Sequence, residues 1–163
     1  MKLVKYLTVI MCCLVLTTSQ FAQDKMMDDK KMLPDHMMMI DKDKNGAAIK
    51  GYDAVAYFTD SKAVMGKADY TYKWMDAEWH FASKSHLDMF KKNPEKYVPQ
   101  YGGYCAFGIA MNHCSSADPT AWKIVEGKLY LYTNEDVEGK WSKDVKESIM
   151  KSDEYWIKET AKK

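Results

Sequence analysis

Short aromatic-rich segments separated by turn residues dominate the chain from Ile49 onward. Segments 70–74 and 79–81 flank one polar turn, and segments 122–125 and 129–132 flank another that contains glycine. Each pair indicates a β-hairpin, because two short strands joined by a few turn residues pair antiparallel. We therefore predict an α+β fold in a single domain, with a small antiparallel sheet of short hairpins packed with two to four helices.

Two stretches have the features of helices. Ser83 or Ser85 is suited to cap a helix that runs through Phe90 and ends ahead of Pro94, because proline disfavours helical geometry in the residue before it. Residues 134–159 have a helical composition and place their apolar side chains near one face. The domain is therefore predicted to end in a helical extension.

Other segments predict strands and turns. Residues 54–58 (AVAYF) are predicted to form a short buried strand, and residues 62–65 to add another. The sequence YGGY at 101–104 indicates a tight bend that glycine permits. Residues 41–46 (DKDKNG) match the opening of an EF-hand loop, but Tyr52 stands where the bidentate glutamate belongs, so a polar turn is predicted there.

Residues 1–23 have the pattern of a signal peptide. Two lysines precede the apolar run 7–16, which is well short of the ~20 residues that a membrane-spanning helix needs. Small residues suitable for cleavage follow within 17–23. An uncleaved anchor and lipidation of Cys12 or Cys13 are the alternatives. We expect cleavage, a periplasmic or secreted destination, and no stable membrane insertion afterwards.

The charge and the motifs exclude several classes of function. The chain has 24 Lys+Arg and 23 Asp+Glu, and loss of the two lysines of the signal peptide keeps the net charge close to zero. Such a charge does not favour nucleic-acid binding, and no basic run provides a local exception. The sequence also contains no HExxH, phosphate loop, dinucleotide fingerprint or Ser-His-Asp order. A non-enzymatic protein is therefore predicted.

A leader rich in methionine is predicted over residues 24–48. It has no aromatic residue and no sustained apolar period, so we expect it to be disordered. Thioether sulfur is soft and uncharged, which suits Cu(I) or Ag(I). The alternative interpretation is that the leader is an unstructured linker in which the methionines accumulated without a function. Six methionines and one histidine fall within 14 residues: Met26, Met27, Met32, His36, Met37, Met38 and Met39.

Several motifs resemble the exported branch of the YHS domain family. The resemblance covers roughly residues 49–157 and implies a small α+β module, suspected of binding metal, over residues 49–160. Metal-pump members are similar in carrying cysteines ahead of the first strand and before the helix, but this chain has none at those places. The motifs are KGYDAVAYF at 50–58, WHFAS at 79–83, NPEKYVPQYGGYCA at 93–106, DPTAW at 118–122 and GKLYL at 127–131.

Cys105 is the candidate site residue of the domain. Some relatives in the family have selenocysteine where Cys105 stands, which implies a redox or soft-metal role. An accessible thiol here would be a nucleophile or a soft-metal ligand, and the alternative is a small buried hydrophobic residue. His113 and Cys114 follow at a distance that allows a disulfide with Cys105, a metal set of Cys105, His113 and Cys114, or unrelated thiols.

The predicted function is an exported protein that binds a soft metal, with copper as Cu(I) the expected ion. His36, Met37, Met38 and Met39 would capture the ion, and Cys105 would add a ligand in or beside the folded domain. One alternative is a thiol-redox protein in which Cys105 reacts with a partner thiol protein and Cys114 resolves the product. The other is a structural or interaction module. Both functional readings require that solvent reaches the Cys105 sulfur.

Overall fold

The computed structural model describes residues 39–162, which belong to one compact unit. The predicted signal peptide and most of the predicted leader, including His36, Met37 and Met38, lie outside the described residues. Among residues 39–162, none of the helices combines the length and the apolar character that a bilayer span requires. The α+β class is confirmed, and the helical segments outnumber the two to four expected.

The first hairpin consists of β1 (Lys67–Trp74) and β2 (Ala77–Phe81), which pair antiparallel as predicted. Its turn is formed by Met75 and Asp76, both with positive φ. Successive side chains of a strand point to opposite faces, and in β2 the buried residues alternate with half-buried ones. One face of the hairpin therefore enters the core and the other remains open to solvent.

Helix α2 (Lys84–Lys92) covers the buried face of this hairpin. It begins as predicted at Ser83, whose Oγ accepts a hydrogen bond from the N–H of His86 at 3.2 Å. Phe90 lies over Trp79, with their ring centroids 4.9 Å apart. The helix ends ahead of a separate turn of helix, α3 (Pro94–Tyr97), because the proline interrupts helical geometry.

A second hairpin, β3 (Asp118–Val125) and β4 (Lys128–Tyr132), forms a separate two-stranded sheet. Three helices accompany it: α4 (Ala106–Ala110), α5 (Glu135–Trp141) and α6 (Val145–Thr160). The long C-terminal helix α6 packs on α4, where Ser152 Oγ donates to the carbonyl of Ala106 at 3.1 Å. The predicted helical stretch 134–159 is therefore two helices joined by a 3-10 turn at Ser142–Asp144.

Strand β4 separates two hydrophobic clusters. Leu129 and Leu131 belong to the first cluster, which contains the aromatic residues of the first hairpin. Tyr130 and Tyr132 point the opposite way into the second cluster, together with Trp141 of α5. Because all four side chains are buried, β4 reads as a continuous apolar run rather than an alternating one.

The strand predicted at 54–58 is wrong. The segment forms a helix instead, α1 (Ala56–Thr59), because Asp53 Oδ1 accepts hydrogen bonds from the N–H groups of Val55 at 2.8 Å and Ala56 at 3.3 Å. Residues 62–65 are likewise not a strand, apart from an isolated bridge between Tyr52 and Met65.

The folded domain begins earlier than the predicted end of the leader. Residues 40–48 are part of the domain, because Ile40, Ala47 and Ala48 are buried and the N–H of Asp41 donates to the carbonyl of Gly102 at 2.8 Å. Asp43 closes the predicted polar turn by accepting hydrogen bonds from the next residues. Disorder over this part of the leader is therefore wrong.

Candidate functional site

Cys105 lies inside the second cluster, and its expected access to solvent is wrong. The residue is only 1 % exposed. Its N–H donates to the carbonyl of Ser115 at 2.9 Å, and it forms a parallel bridge with Leu131. Tyr130, Tyr132 and α6 close the cluster around it. The structure therefore places Cys105 as a small buried side chain at the start of α4.

The aromatic side chains beside Cys105 are also isolated from water. Burial raises the pKa of Tyr132 above its ordinary range, with smaller contributions from the charges of Glu138, Tyr130 and Cys105. Within residues 39–162, Tyr132 Oη and Trp141 Nε1 have no hydrogen-bond partner. The surroundings of the thiol are therefore aromatic and closed to solvent.

The expected grouping of Cys105 with His113 and Cys114 does not occur. Cys105 is buried, Cys114 is exposed, and no disulfide joins them. His113 is exposed in the same loop. In the part of the chain that the structure describes, no group of three or more His, Cys, Asp or Glu residues could hold a metal ion. The predicted ligand set is therefore not assembled in the folded domain.

The two thiols are expected to differ strongly in reactivity. Cys114 should be alkylated by iodoacetamide on the order of 100-fold faster than Cys105 in native buffer, because a buried thiol reacts only when the structure opens locally. Peptide mass spectrometry after timed quenching measures both rates in one sample. In urea the two rates should converge. Equal rates in native buffer would contradict the burial of Cys105.

Met39 is the one leader ligand that the structure describes, and its side chain contributes to packing. It is half-buried against the second cluster. Its backbone carbonyl lies against Gly102, where a Cβ atom would come within 1.6 Å of the oxygen. Met39 therefore marks the point at which the leader enters the domain, at the bend that precedes Cys105.

A buried aspartate and a histidine form a polar pair that the sequence analysis did not identify. Asp53 is fully buried, and its Oδ2 accepts from the N–H of Ala82 at 2.7 Å and lies 2.7 Å from Nδ1 of His86. An ionised carboxylate only accepts hydrogen bonds, so Nδ1 of His86 carries the proton in this pair. Asp53 therefore connects the start of α1, the end of β2 and helix α2.

The opposite edge of the His86 ring faces polar neighbours. Its Nε2 lies 3.4 Å from Thr59 Oγ1 and 4.0 Å from Asp60 Oδ1, and the side chain is 14 % exposed. The main geometric role of the His86 ring is therefore to complete the hydrogen-bond network of Asp53.

A second histidine pair lies on the solvent side of the first hairpin. Glu78 and His80 share the half-buried face of β2, and His80 Nε2 lies 2.8 Å from Glu78 Oε1. The period of two along a strand could have indicated that these side chains are neighbours. The hairpin was predicted, but the pairing of Glu78 with His80 was not.

Residues 55–101 match the family model of the YHS domain, which confirms the predicted resemblance over that range. The matching range contains both histidine pairs except for Asp53, and it ends four residues before Cys105. No curated protein and no solved structure matches the chain.

Proposed function

We propose that the protein is an exported, non-enzymatic binder of Cu(I), on the premise that residues 55–101 match the family model of the YHS domain, a family often linked to metal handling. Metal capture is assigned to the methionine-rich leader rather than to a thiolate cage. The domain then serves as the folded body to which the leader is attached.

The composition of the leader is the observation that carries this proposal. Residues 26–39 contain six methionines and one histidine. Thioethers and imidazole are ligands that suit Cu(I), and thioethers bind without losing a proton. Exposed methionine otherwise adds apolar surface and is readily oxidised to the sulfoxide. Metal binding explains why the leader is rich in methionine, whereas a role as a plain linker does not.

The burial of Cys105 changes its part in this function. A sulfur that is 1 % exposed cannot contact an incoming ion unless the second cluster opens. The ligands are therefore assigned to His36, Met37 and Met38, next to the tether at Met39. The thiol-redox alternative loses support, because Cys105 and Cys114 are not brought together.

Export is consistent with the choice of ligand. The pattern of residues 1–23 predicts a signal peptide, so the protein is proposed to function in the periplasm or outside the cell. Disulfides form and persist in such compartments, and thiols are lost to them. Methionine keeps its ligand character there, which favours thioethers over cysteine for binding copper.

Replacing the thioethers of the leader is expected to remove at least one equivalent of bound Cu(I). The measurement is a competition titration against a chromophoric Cu(I) chelator. The control replaces Lys25, Lys30 and Lys31 with glutamine, which changes the same segment without removing soft ligands, and should leave the stoichiometry unchanged. An identical stoichiometry in the thioether variant would refute the proposal. That variant carries Leu at Met26, Met27, Met32, Met37 and Met38, and Gln at His36.

A further inference from the structure

The orientation of the His80 ring leaves one nitrogen available to a ligand. Glu78 Oε1 lies 2.8 Å from Nε2, and a carboxylate only accepts hydrogen bonds, so Nε2 carries the proton. In the neutral imidazole the lone pair is then on Nδ1. Histidine ligands of metals characteristically donate their other N–H to a carboxylate in this way.

The available nitrogen and the sulfur of Met65 both lie near Gly51. A Cβ atom built on Gly51 would lie 3.8 Å from His80 Nδ1 and 3.7 Å from Met65 Sδ, so both donor atoms approach the same point. Gly51 has a φ of +82° and no side chain to fill that space. The two donors therefore share a small notch on the surface of the domain.

Backbone pairing holds the two donors in place. Tyr52 and Met65 form an antiparallel bridge, and the N–H of Gly66 donates to the carbonyl of Gly51 at 2.9 Å. Gly66 also lies directly against His80, where a Cβ atom would come within 2.5 Å of His80 Cβ. The notch is therefore built on the sheet and its neighbouring bridge.

Access and charge both favour a cation at this position. Met65 is 55 % exposed, and the side chain of His80 is 22 % exposed. Glu78 is adjacent, with its Oε1 2.8 Å from His80 Nε2 and its side chain 40 % exposed. An acidic side chain therefore lies beside the imidazole of His80.

We propose that Met65 Sδ and His80 Nδ1 form a second site for a soft monovalent cation, Cu(I) or Ag(I), with Glu78 orienting the imidazole. A thioether with an imidazole suits such ions, whereas a structural zinc site needs four ligands. The site lies in the folded domain and uses no leader residue. It therefore goes beyond the function proposed above and can hold even if the leader binds nothing.

The test is titration of the protein, labelled with methyl-13C methionine, with Ag(I), which binds like Cu(I) and does not change oxidation state. Each methionine methyl reports separately by NMR, so the leader and Met65 are distinguished in one experiment. We expect the Met65 methyl and the His80 ring resonances to shift together. In Met65→Leu, the His80 shift should disappear.

Two further variants test the roles of the histidine and the carboxylate. His80→Gln should weaken the Ag(I) affinity reported by Met65 at least tenfold, and Glu78→Gln should weaken it by about tenfold. Met150→Leu is the matched control, because Met150 is 64 % exposed on α6, and it should leave the His80 shift unchanged. Thermal denaturation of each variant confirms folding.

Two results would overturn the site. One is a Met65 methyl that does not shift at Ag(I) concentrations that shift the leader methyls. The other is a folded His80→Gln variant in which the Met65 methyl still shifts and reports an unchanged affinity for Ag(I). If only Met65 and His80 shift and the methyl groups of the leader methionines do not, the result would support this site and refute the proposal that the leader binds the metal.

Discussion

Replacing Asp53 with alanine is expected to lower the free energy of unfolding by about 3–5 kcal/mol. The carboxylate is fully buried and accepts from the N–H groups of Val55, Ala56 and Ala82 as well as facing His86 Nδ1. Alanine leaves these buried donors without an acceptor, and each unsatisfied donor is costly. The loss is large compared with the roughly 5–15 kcal/mol that stabilises a typical domain. Urea unfolding followed by tryptophan fluorescence measures it.

Asp88→Ala provides the matched control for this experiment. Asp88 lies on the same helix as His86, but its carboxylate is exposed and pairs with Lys84 at 2.7 Å. A surface ion pair of this kind contributes little, so the change should stay within about 0.5 kcal/mol. A similar loss in both variants would show that the network around Asp53 is not a principal source of stability.

Replacing Gly102 with alanine is expected to destabilise the protein by about 3 kcal/mol or more. Gly102 has a φ of +60°, and a Cβ atom there would lie 1.6 Å from the carbonyl oxygen of Met39. The positive φ costs an alanine about 1–2 kcal/mol, and forced overlap typically costs 1–3 kcal/mol more. Because the obstacle is backbone, the segment at Met39 must move away from the bend.

The control for Gly102→Ala is Gly127→Ala. Gly127 also has a positive φ, +74°, but a Cβ atom there meets nothing within 4 Å. This variant should lose only about 1–2 kcal/mol, which is the cost of the backbone conformation. Hydrogen exchange at the N–H of Asp41, which donates to Gly102 O, should accelerate only in Gly102→Ala. Equal destabilisation of the two variants would contradict the close approach of Met39.

Local patterns predicted the elements that depend on neighbouring residues. The hairpins β1–β2 and β3–β4 follow from short apolar segments around turns, and the cap at Ser83 follows from the chemistry of its side chain. The segment 54–58 was predicted wrongly because a short apolar run is compatible with either a strand or a helix. The deciding contacts are the hydrogen bonds that Asp53 Oδ1 accepts from the N–H groups of Val55 and Ala56, which the apolar pattern does not reveal.

The candidate site could not be predicted from local sequence patterns, because it is built by contacts between distant parts of the chain. Asp53 meets Ala82 and His86, which lie 29 and 33 positions away. The burial of Cys105 requires the side-chain alternation of β4 and the packing of α6, so a motif around the cysteine could not show it. The early start of the domain likewise depends on Gly102, which is far from Asp41 in sequence. Local composition alone therefore placed that boundary too late.

The position of Cys105 has a consequence for how the chain matures. In the unfolded chain, Cys105 and Cys114 are nine positions apart, and an oxidant can join them in a disulfide that closes a short loop. In the folded domain Cys105 is buried and Cys114 is exposed, and no disulfide joins them. In the oxidising compartment proposed for this protein, folding competes with oxidation. A chain whose interior closes first keeps the Cys105 thiol out of reach of oxidants, whereas a chain that is oxidised first has to reopen the disulfide by thiol–disulfide exchange before it can fold.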